Sequence, residues 1–569
     1  MAEERIGVYV CCCGTNIAKV VDVESLAEEM KDLQGVSIAR TYKYMCSNPG
    51  QQMITDDIKE HNLTRVVVSA CSPRMHENTF RKALDRGGVN PYMLEMANIR
   101  EQCSWIHEDP VEATAKAKDL ARGAIQRVKY HDSLASRTAK MCPATLVLGG
   151  GIAGMSAALE LADAGQQVYL VERADHLGGN VARLDLTAPY LDSARDMVKD
   201  RIARIMRHEN IRVMMQSELQ EVKGFVGNFT TKVKTPAEEV ELEVGSLVIC
   251  TGVQEFDASR ITEYGYGKLP DVITSLELEA MLRKGKVVTK SGKRPRHVTI
   301  LHCVGSRDPE HHGYCSRVCC MTGLKYANEI KSAIPDAYVA NLYIDMLAFG
   351  KGCEDFYKKT AEGTKPMFLM HAKDKHPSIR LAGPKDDASM IIDVKEQLSG
   401  ESIEVPTDMV VLLVGMESRE DAEQVARLLS ISRDKDGWFI ESHPKLDPVA
   451  TTTDGVYIAG GCSSPKDIPE SIAQARAAVA RILAMIANEV ITVDAVYSEV
   501  QDKLCSGCRI CNSVCPYSAI EYDPEKKKSK IISEVCKACG CCAVACPSGV
   551  IYARHFTDEQ VYAQIEALL

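Results

Sequence analysis

Eight cysteines near the end of this 569-residue chain fall into two copies of one spacing, Cys505-x2-Cys508-x2-Cys511-x3-Cys515-Pro516 and Cys536-x2-Cys539-x2-Cys542-x3-Cys546-Pro547. Three thiolates on one tight loop can hold three irons of a cubane, and the fourth, at the start of a short helix, reaches the other cube. The expected sets are therefore Cys505, Cys508, Cys511 and Cys546 on one [4Fe–4S] cluster, and Cys536, Cys539, Cys542 and Cys515 on the second. Cys541 is an extra thiol outside both sets. A pair of zinc knuckles is the alternative, but zinc sites spread four ligands over a longer loop. Duplicated runs, each closing on Cys-Pro, favour cubanes, and two adjacent cubes pass electrons one at a time.

A second constellation, Gly149-Gly-Gly151-Ile152-Ala153-Gly154, follows an apolar strand and opens a helix. Glycines there permit a tight turn and let a pyrophosphate approach the helix N-terminus. Glu172 ends the next strand, where it can accept from both hydroxyls of a ribose. Glu172-Arg173 with Gly178-Gly179-Asn180 resembles the glycine pair that continues around FAD in flavoproteins of the thioredoxin-reductase type. Thr251-Gly252 resembles their second turn, and Thr453–Gly460 followed by Gly461 resembles their late FAD-binding strand. That strand normally ends Gly-Asp, with the aspartate on the ribitol. Here Cys462 follows Gly461, so that contact is absent or replaced.

The glycine fingerprint expected for a nicotinamide dinucleotide is missing. Its strand, His297–His302, runs instead into Cys303-Val-Gly-Ser-Arg307. Cys303, Cys315, Cys319 and Cys320 supply four thiols around that loop, and a third [4Fe–4S] cluster is expected there. The alternative is a buried thiol pair with scattered neighbours. His311 and His312, in the same loop, are expected to be solvated. Electrons should then arrive through clusters or partner proteins rather than from a bound nicotinamide.

A further resemblance is specific. Cys303–Asp308, Tyr314–Cys320, Pro465–Pro469, Ile6–Ile17, Ala70–Glu77 and Asn98–Trp105 are similar to the A-type polypeptide of heterodisulfide reductase, over essentially the whole chain. The resemblance implies an FAD and iron–sulfur electron-transfer enzyme that serves a disulfide or iron–sulfur acceptor. It implies flavin-based bifurcation or confurcation among a donor module such as hydrogenase or formate dehydrogenase, ferredoxin, and B- and C-type disulfide-reducing subunits. It also implies a homodimeric core. Lys325, five residues beyond the cysteine pair, would lie by the flavin's reactive nitrogen; the alternative is an exposed helix lysine. Longer members carry an additional ferredoxin module in the flavin domain. The stretch from 220 to 249 has no cysteine, so this chain is expected to be a short form with FAD and three clusters. A non-bifurcating electron-transfer adaptor is the second functional reading. A pyridine-nucleotide disulfide reductase is a third, opposed by the missing fingerprint.

The elements that must position these groups fall into an α/β multidomain chain. Residues 1–135 alternate strands (Ile6–Val10, Arg65–Ser69) with helices (Val23–Leu33, Pro110–His131) and form an N-terminal α/β domain. A polar linker is expected at 132–143. Residues 144–490 form a thioredoxin-reductase-like FAD-binding Rossmann region, opening with the unit Ala144–Leu148, Ile152–Ala164, Gln167–Val171. Residues 495–569 form a bacterial-type 2[4Fe–4S] ferredoxin domain. Cys11, Cys12, Cys13, Cys46, Cys71 and Cys103 are irregularly spaced and read as small buried apolar residues, although a further cluster is conceivable. The net charge of −10 argues against nonspecific nucleic-acid binding. No apolar run reaches the roughly 20 residues of a membrane helix. The opening Met-Ala-Glu-Glu-Arg is not followed by a signal-peptide core, and a cytoplasmic location is expected.

Overall fold

The computed structural model describes residues 4–384 and 387–569, so the first three residues of the opening stretch lie outside it. The chain divides into two compact units, Met1–Thr138 with Thr492–Leu569, and Ala139–Ile491.

In the first unit, four parallel strands are ordered Val36–Tyr42, Ile6–Cys11, Arg65–Ala70, Leu94–Asn98. Side chains alternate across a strand, so Ile6, Val8 and Val10 pack with the helices Val23–Lys31 and Pro110–Val128. Tyr9 and Cys11 face the opposite layer, built from Asn48–Glu60 and Pro73–Gly87. Asp22 and Asp109 cap two of these helices by accepting from Ser25 N–H and Val111 N–H.

The C-terminal segment belongs to the same unit. Its last helix, Asp558–Glu566, packs on Pro110–Val128, where Gly123 leaves room for Gln564. Arg127 donates to His555 O at 2.8 Å, and the buried rings of His131 and His555 stack 4.2 Å apart. Between these contacts and Ser498 lie two short helices, Ile510–Val514 and Cys541–Ala545, and two antiparallel strand pairs.

The second unit repeats one plan. The first lobe is a parallel sheet in the order Ile211–Met214, Val168–Val171, Thr145–Leu148, Ser246–Ile249, Val456–Ile458. The second runs Val272–Thr274, Met409–Val414, His297–Val304, Tyr338–Tyr343, Met367–Met370. Each carries a three-stranded antiparallel meander before its returning strand, Glu218–Val244 in one and Ser378–Thr407 in the other. The first meander fills the cysteine-free stretch. The 132–143 segment is less irregular than its polarity suggests, since Arg137–Lys140 is extended as a strand.

Candidate functional site

The glycine turn leaves the carboxyl end of Thr145–Leu148 and enters the helix Ile152–Asp163. Gly149 has φ +107°, and a Cβ there would lie 2.4 Å from Cys250 O. A Cβ on Gly154 would lie 1.9 Å from Gly149 O. Both glycines are therefore required by the protein's own packing. Gly151 differs: a Cβ there meets no protein atom within 4 Å, so the space in front of this helix end is open. Thr251 and Gly252 lead away from the neighbouring strand end, and Gly252 is also open at φ +74°. Gly178 N–H donates to Gly150 O at 2.8 Å, and Gly179 packs on Gly151, a Cβ there lying 3.1 Å from its Cα. Asn180 Nδ2 donates to Val253 O at 3.2 Å. Gly460 abuts Ala153, and Gly461 abuts Val253. These glycines, with Ile152 and Ala153 at the helix start, border one open cradle that fits a dinucleotide pyrophosphate.

Glu172 is half-buried at the rim of that cradle. Its carboxylate accepts from Gly150 N–H at 2.6 Å and Ala174 N–H at 2.7 Å, contacts that spacing did not reveal. Arg173 points outward and pairs with Asp421 at 2.7 Å. Cys462 is buried where the related aspartate would stand. Its Sγ donates to Ile249 O at 3.1 Å, and burial pushes the thiol up to about 11.

At the equivalent strand end of the second lobe there are cysteines instead of glycines. Cys303 sits at φ +60° where the register shifts between Leu301 and Val304, a bulge that re-aims its side chain. Cys319 and Cys320 open the helix Cys319–Ala333. The hydrogen bond with Cys319 holds the Cys303 thiol below its ordinary value, and the Arg307 guanidinium acts in the same direction. Arg317 N–H donates to Cys315 Sγ at 3.2 Å and Leu347 N–H to Cys320 Sγ at 3.4 Å. Amide donors on sulfur, and a nearby guanidinium, suit thiolates that bind metal. His311 and His312 are not solvated: His311 pairs with Asp308 at 2.9 Å, and His312 pairs with Glu417. Asp308 of the loop, Glu417 and the Phe256 ring hold them in place.

Lys325 is buried at 4% exposure, unlike an ordinary helix lysine. Its ammonium pairs with the fully buried Glu279, donates to Leu186 O at 3.0 Å, and stands 3.6 Å from Glu329. Tyr326 donates to Glu279 at 2.8 Å, and Asp185 N–H donates to its other oxygen, also at 2.8 Å. One cation thus serves two buried carboxylates, and burial pushes Glu329 up to about 7. Glu279, 46 positions away in sequence, carries no motif that marks it.

In the first unit, Cys505, Cys508, Cys511 and Cys546 line one small hollow, partly open to solvent. Cys515, Cys536, Cys539 and Cys542 line a second, with the exposed Cys541 on its wall. Backbone amides of Ser498 and Ala538 donate to Cys536 Sγ at 3.4 Å each, and Ala519 N–H donates to Cys515 Sγ at 3.3 Å. Among the described residues no three cysteine sulfurs lie within 4.8 Å of one another. Thiolates on one zinc would stand about 3.8 Å apart, given Zn–S bonds of about 2.3 Å. Four thiols on each hollow match the four irons of a cube, one thiolate to each.

A fourth gathering was not legible in spacing. Three strands of the N-terminal sheet deliver Cys11, Cys46 and Cys71 to its carboxyl edge, and Cys13 follows Cys11. Met45 N–H donates to Cys11 Sγ and Arg100 donates to Cys13 Sγ, both at 3.4 Å. Cys103 stays apart, buried against the helix Pro110–Val128 with its thiol donating to Ala113 O at 2.9 Å.

Comparisons with known proteins agree with this geometry. Residues 145–253 match the family model for FAD dependent oxidoreductases, and 504–550 match that for 4Fe-4S dicluster domains. The second of two A-type iron-sulfur polypeptides of CoB–CoM heterodisulfide reductase in Methanopyrus kandleri is 40% identical, covering 100% of this chain and 99% of the relative. The chain belongs to the A-type family of heterodisulfide reductase polypeptides. Another member, the A-type polypeptide of the H2:CoB-CoM heterodisulfide,ferredoxin reductase of Methanothermobacter thermautotrophicus, is 38% identical over 100% of this chain and 98% of its own length. The Methanopyrus alignment spans 656 positions, at least 87 more than the 569 residues here, so this member is a short one. Among solved structures, thioredoxin reductase of T. acidophilum covers 61% of this chain and 100% of its own at 17% identity and TM-score 0.41. The protein is an oxidoreductase of the heterodisulfide reductase type, with an FAD-binding domain and a C-terminal 4Fe–4S dicluster domain. No described helix is long and apolar enough to cross a membrane.

Proposed function

We propose that this chain distributes electrons within a cytoplasmic heterodisulfide-reductase-like complex, with a homodimeric core and three parts bounded near residues 135, 144, 490 and 495. Gly149, Gly151, Gly154, Glu172, Gly178, Gly179, Thr251, Gly252 and Gly460 hold FAD, with Lys325 toward its reactive ring. Bound there, FAD takes electrons in pairs and releases them singly. Cys303, Cys315, Cys319 and Cys320 hold one cube, and the two C-terminal sets hold two more. Electrons arrive from a donor module such as hydrogenase or formate dehydrogenase. They leave toward B- and C-type subunits that reduce a disulfide, and toward ferredoxin, by bifurcation or in reverse. The observation that carries this reading is the second lobe, where cysteines occupy the strand end that would otherwise cradle a nicotinamide dinucleotide. The names of relatives, which include hydrogen, formate and ferredoxin, support the choice of partners.

Anaerobic purification followed by iron and flavin assay tests the cofactors. About twelve irons and one FAD per chain are expected, from three cubes of four irons. Eight irons would remove the 303–320 site. Sixteen would assign a fourth cube to Cys11, Cys13, Cys46 and Cys71, a second reading favoured by their convergence beside Arg100. Reduction of two acceptors in fixed ratio by one donor is expected of a bifurcating protein. Reduction of a single acceptor would leave the adaptor reading, which the positions missing relative to longer members favour.

A further inference from the structure

The hollow lined by Cys505, Cys508, Cys511 and Cys546 lies beside a turn rich in lysine. That turn joins the strands Ile520–Asp523 and Lys528–Ile531 and packs directly on the cysteine loop: a Cβ on Gly507 would lie 2.2 Å from Lys527 O. Lys528 Nζ donates to Asp502 O and ties the two loops together. The backbone of the turn is therefore held against the cysteine loop. Lys526 and Lys527 on the turn and Lys530 on the strand after it are exposed, as are Lys503, Arg509 and Cys508 on the loop. The Arg509 guanidinium lies 4.7 Å from the Tyr522 ring centroid, which holds it over the same face.

Charge sets this face apart. From 502 to 531 six cationic side chains stand against four carboxylates, while the whole chain has a net charge of −10. One of the four, Asp523, accepts from Glu525 N–H and Lys526 N–H at 3.0 Å each, and its other oxygen stands 3.9 Å from the Lys526 ammonium. A positive field at the open edge of an electron-transfer site, on an otherwise acidic protein, orients an acidic partner at that edge and repels a basic one.

Resting on the reading that these four cysteines hold a cube, we propose that the Lys526–Lys530 stretch, with Lys503 and Arg509, is the docking surface for a small acidic one-electron carrier protein of the iron–sulfur class, which approaches over Cys508. One electron leaves the reduced cube and reduces the oxidised cluster of the carrier. No bond is made or broken, and no proton moves.

The test uses the full chain with its clusters, reduced by dithionite and mixed anaerobically in stopped flow with an oxidised acidic 2[4Fe–4S] ferredoxin. The second-order rate should fall about tenfold or more from low to high salt. The triple variant Lys526→Glu, Lys527→Glu, Lys530→Glu should lose about tenfold at low salt and show a flat or inverted salt dependence. Its rate with a small neutral quinone should not change. The same charge reversal at Lys199, Lys223 and Lys234 of the Ala139–Ile491 unit should leave the ferredoxin rate near that of the parent. Equal losses from the two triple variants, or a parent rate indifferent to salt, would overturn the docking surface. Iron content and dithionite bleaching report separately on the cluster reading. A chain without iron at these cysteines overturns both, and a loaded chain indifferent to the charge overturns the docking alone.

Discussion

Glu329→Gln should raise the stability of the Ala139–Ile491 unit at pH 8.5 and leave it almost unchanged below pH 4.5. Glu329 is 7% exposed, neither carboxylate oxygen has a hydrogen-bond partner, and its nearest cation, Lys325, is shared with Glu279. Burial pushes its carboxyl from 4.5 to about 7. The folded value lies above the unfolded one, so the group's stabilising contribution is complete below pH 4.5 and is lost as pH rises through 7. Ionising it in the folded state costs on the order of 3 kcal/mol. Glutamine presents the neutral form at every pH and removes that loss. With unfolding entropy of about 2 cal/mol/K per residue over about 350 residues, 1 kcal/mol moves the melting temperature by roughly 1.3 °C. The variant should therefore melt about 4 °C above the parent at pH 8.5. Anaerobic thermal unfolding, followed by flavin fluorescence and circular dichroism from pH 4 to 8.5, measures the difference. A shift independent of pH, or a lower melting temperature for the variant at pH 8.5, would show that Glu329 is ionised and stabilising beside Lys325.

Lys325→Met leaves Glu279 buried and unpaired, and should cost about 3 kcal/mol or more; adding Glu279→Leu should recover most of the lost melting temperature. Gly151→Val should abolish flavin retention while the apoprotein melts as before, because the added side chain enters open space; Gly154→Ala, whose Cβ meets Gly149 O at 1.9 Å, should lower both flavin content and melting temperature. Cys505→Ser should reduce iron by about four atoms per chain, read by iron assay, whereas Cys541→Ser should leave it unchanged. Burial, aided by His131, lowers His555 from 6.5 to about 4, so its contribution is present above pH 6.5 and lost as pH falls toward 4; hydrogen exchange in residues 558–566 should rise over that interval.

The two C-terminal cysteine runs and the glycine turn were legible because their chemistry is local. A residue spans at most about 3.6 Å of chain, so groups two or three positions apart in one tight loop must converge whatever the rest of the fold does. The duplicated runs thus specified which sulfurs could share a metal site, and the strand, turn, helix and acid from Leu146 to Glu172 specified a dinucleotide cradle. Tertiary structure decided what joins distant segments. Lys325 reads as a surface lysine until the strand and helix packing of the second lobe places Glu279 against it. Cys11, Cys46 and Cys71 look unrelated in sequence, yet parallel strands all deliver their carboxyl ends to one edge of the sheet. Closing such loops costs chain entropy that only burial of the shared sheet core offsets, so the information lies in the whole apolar pattern and in no single spacing.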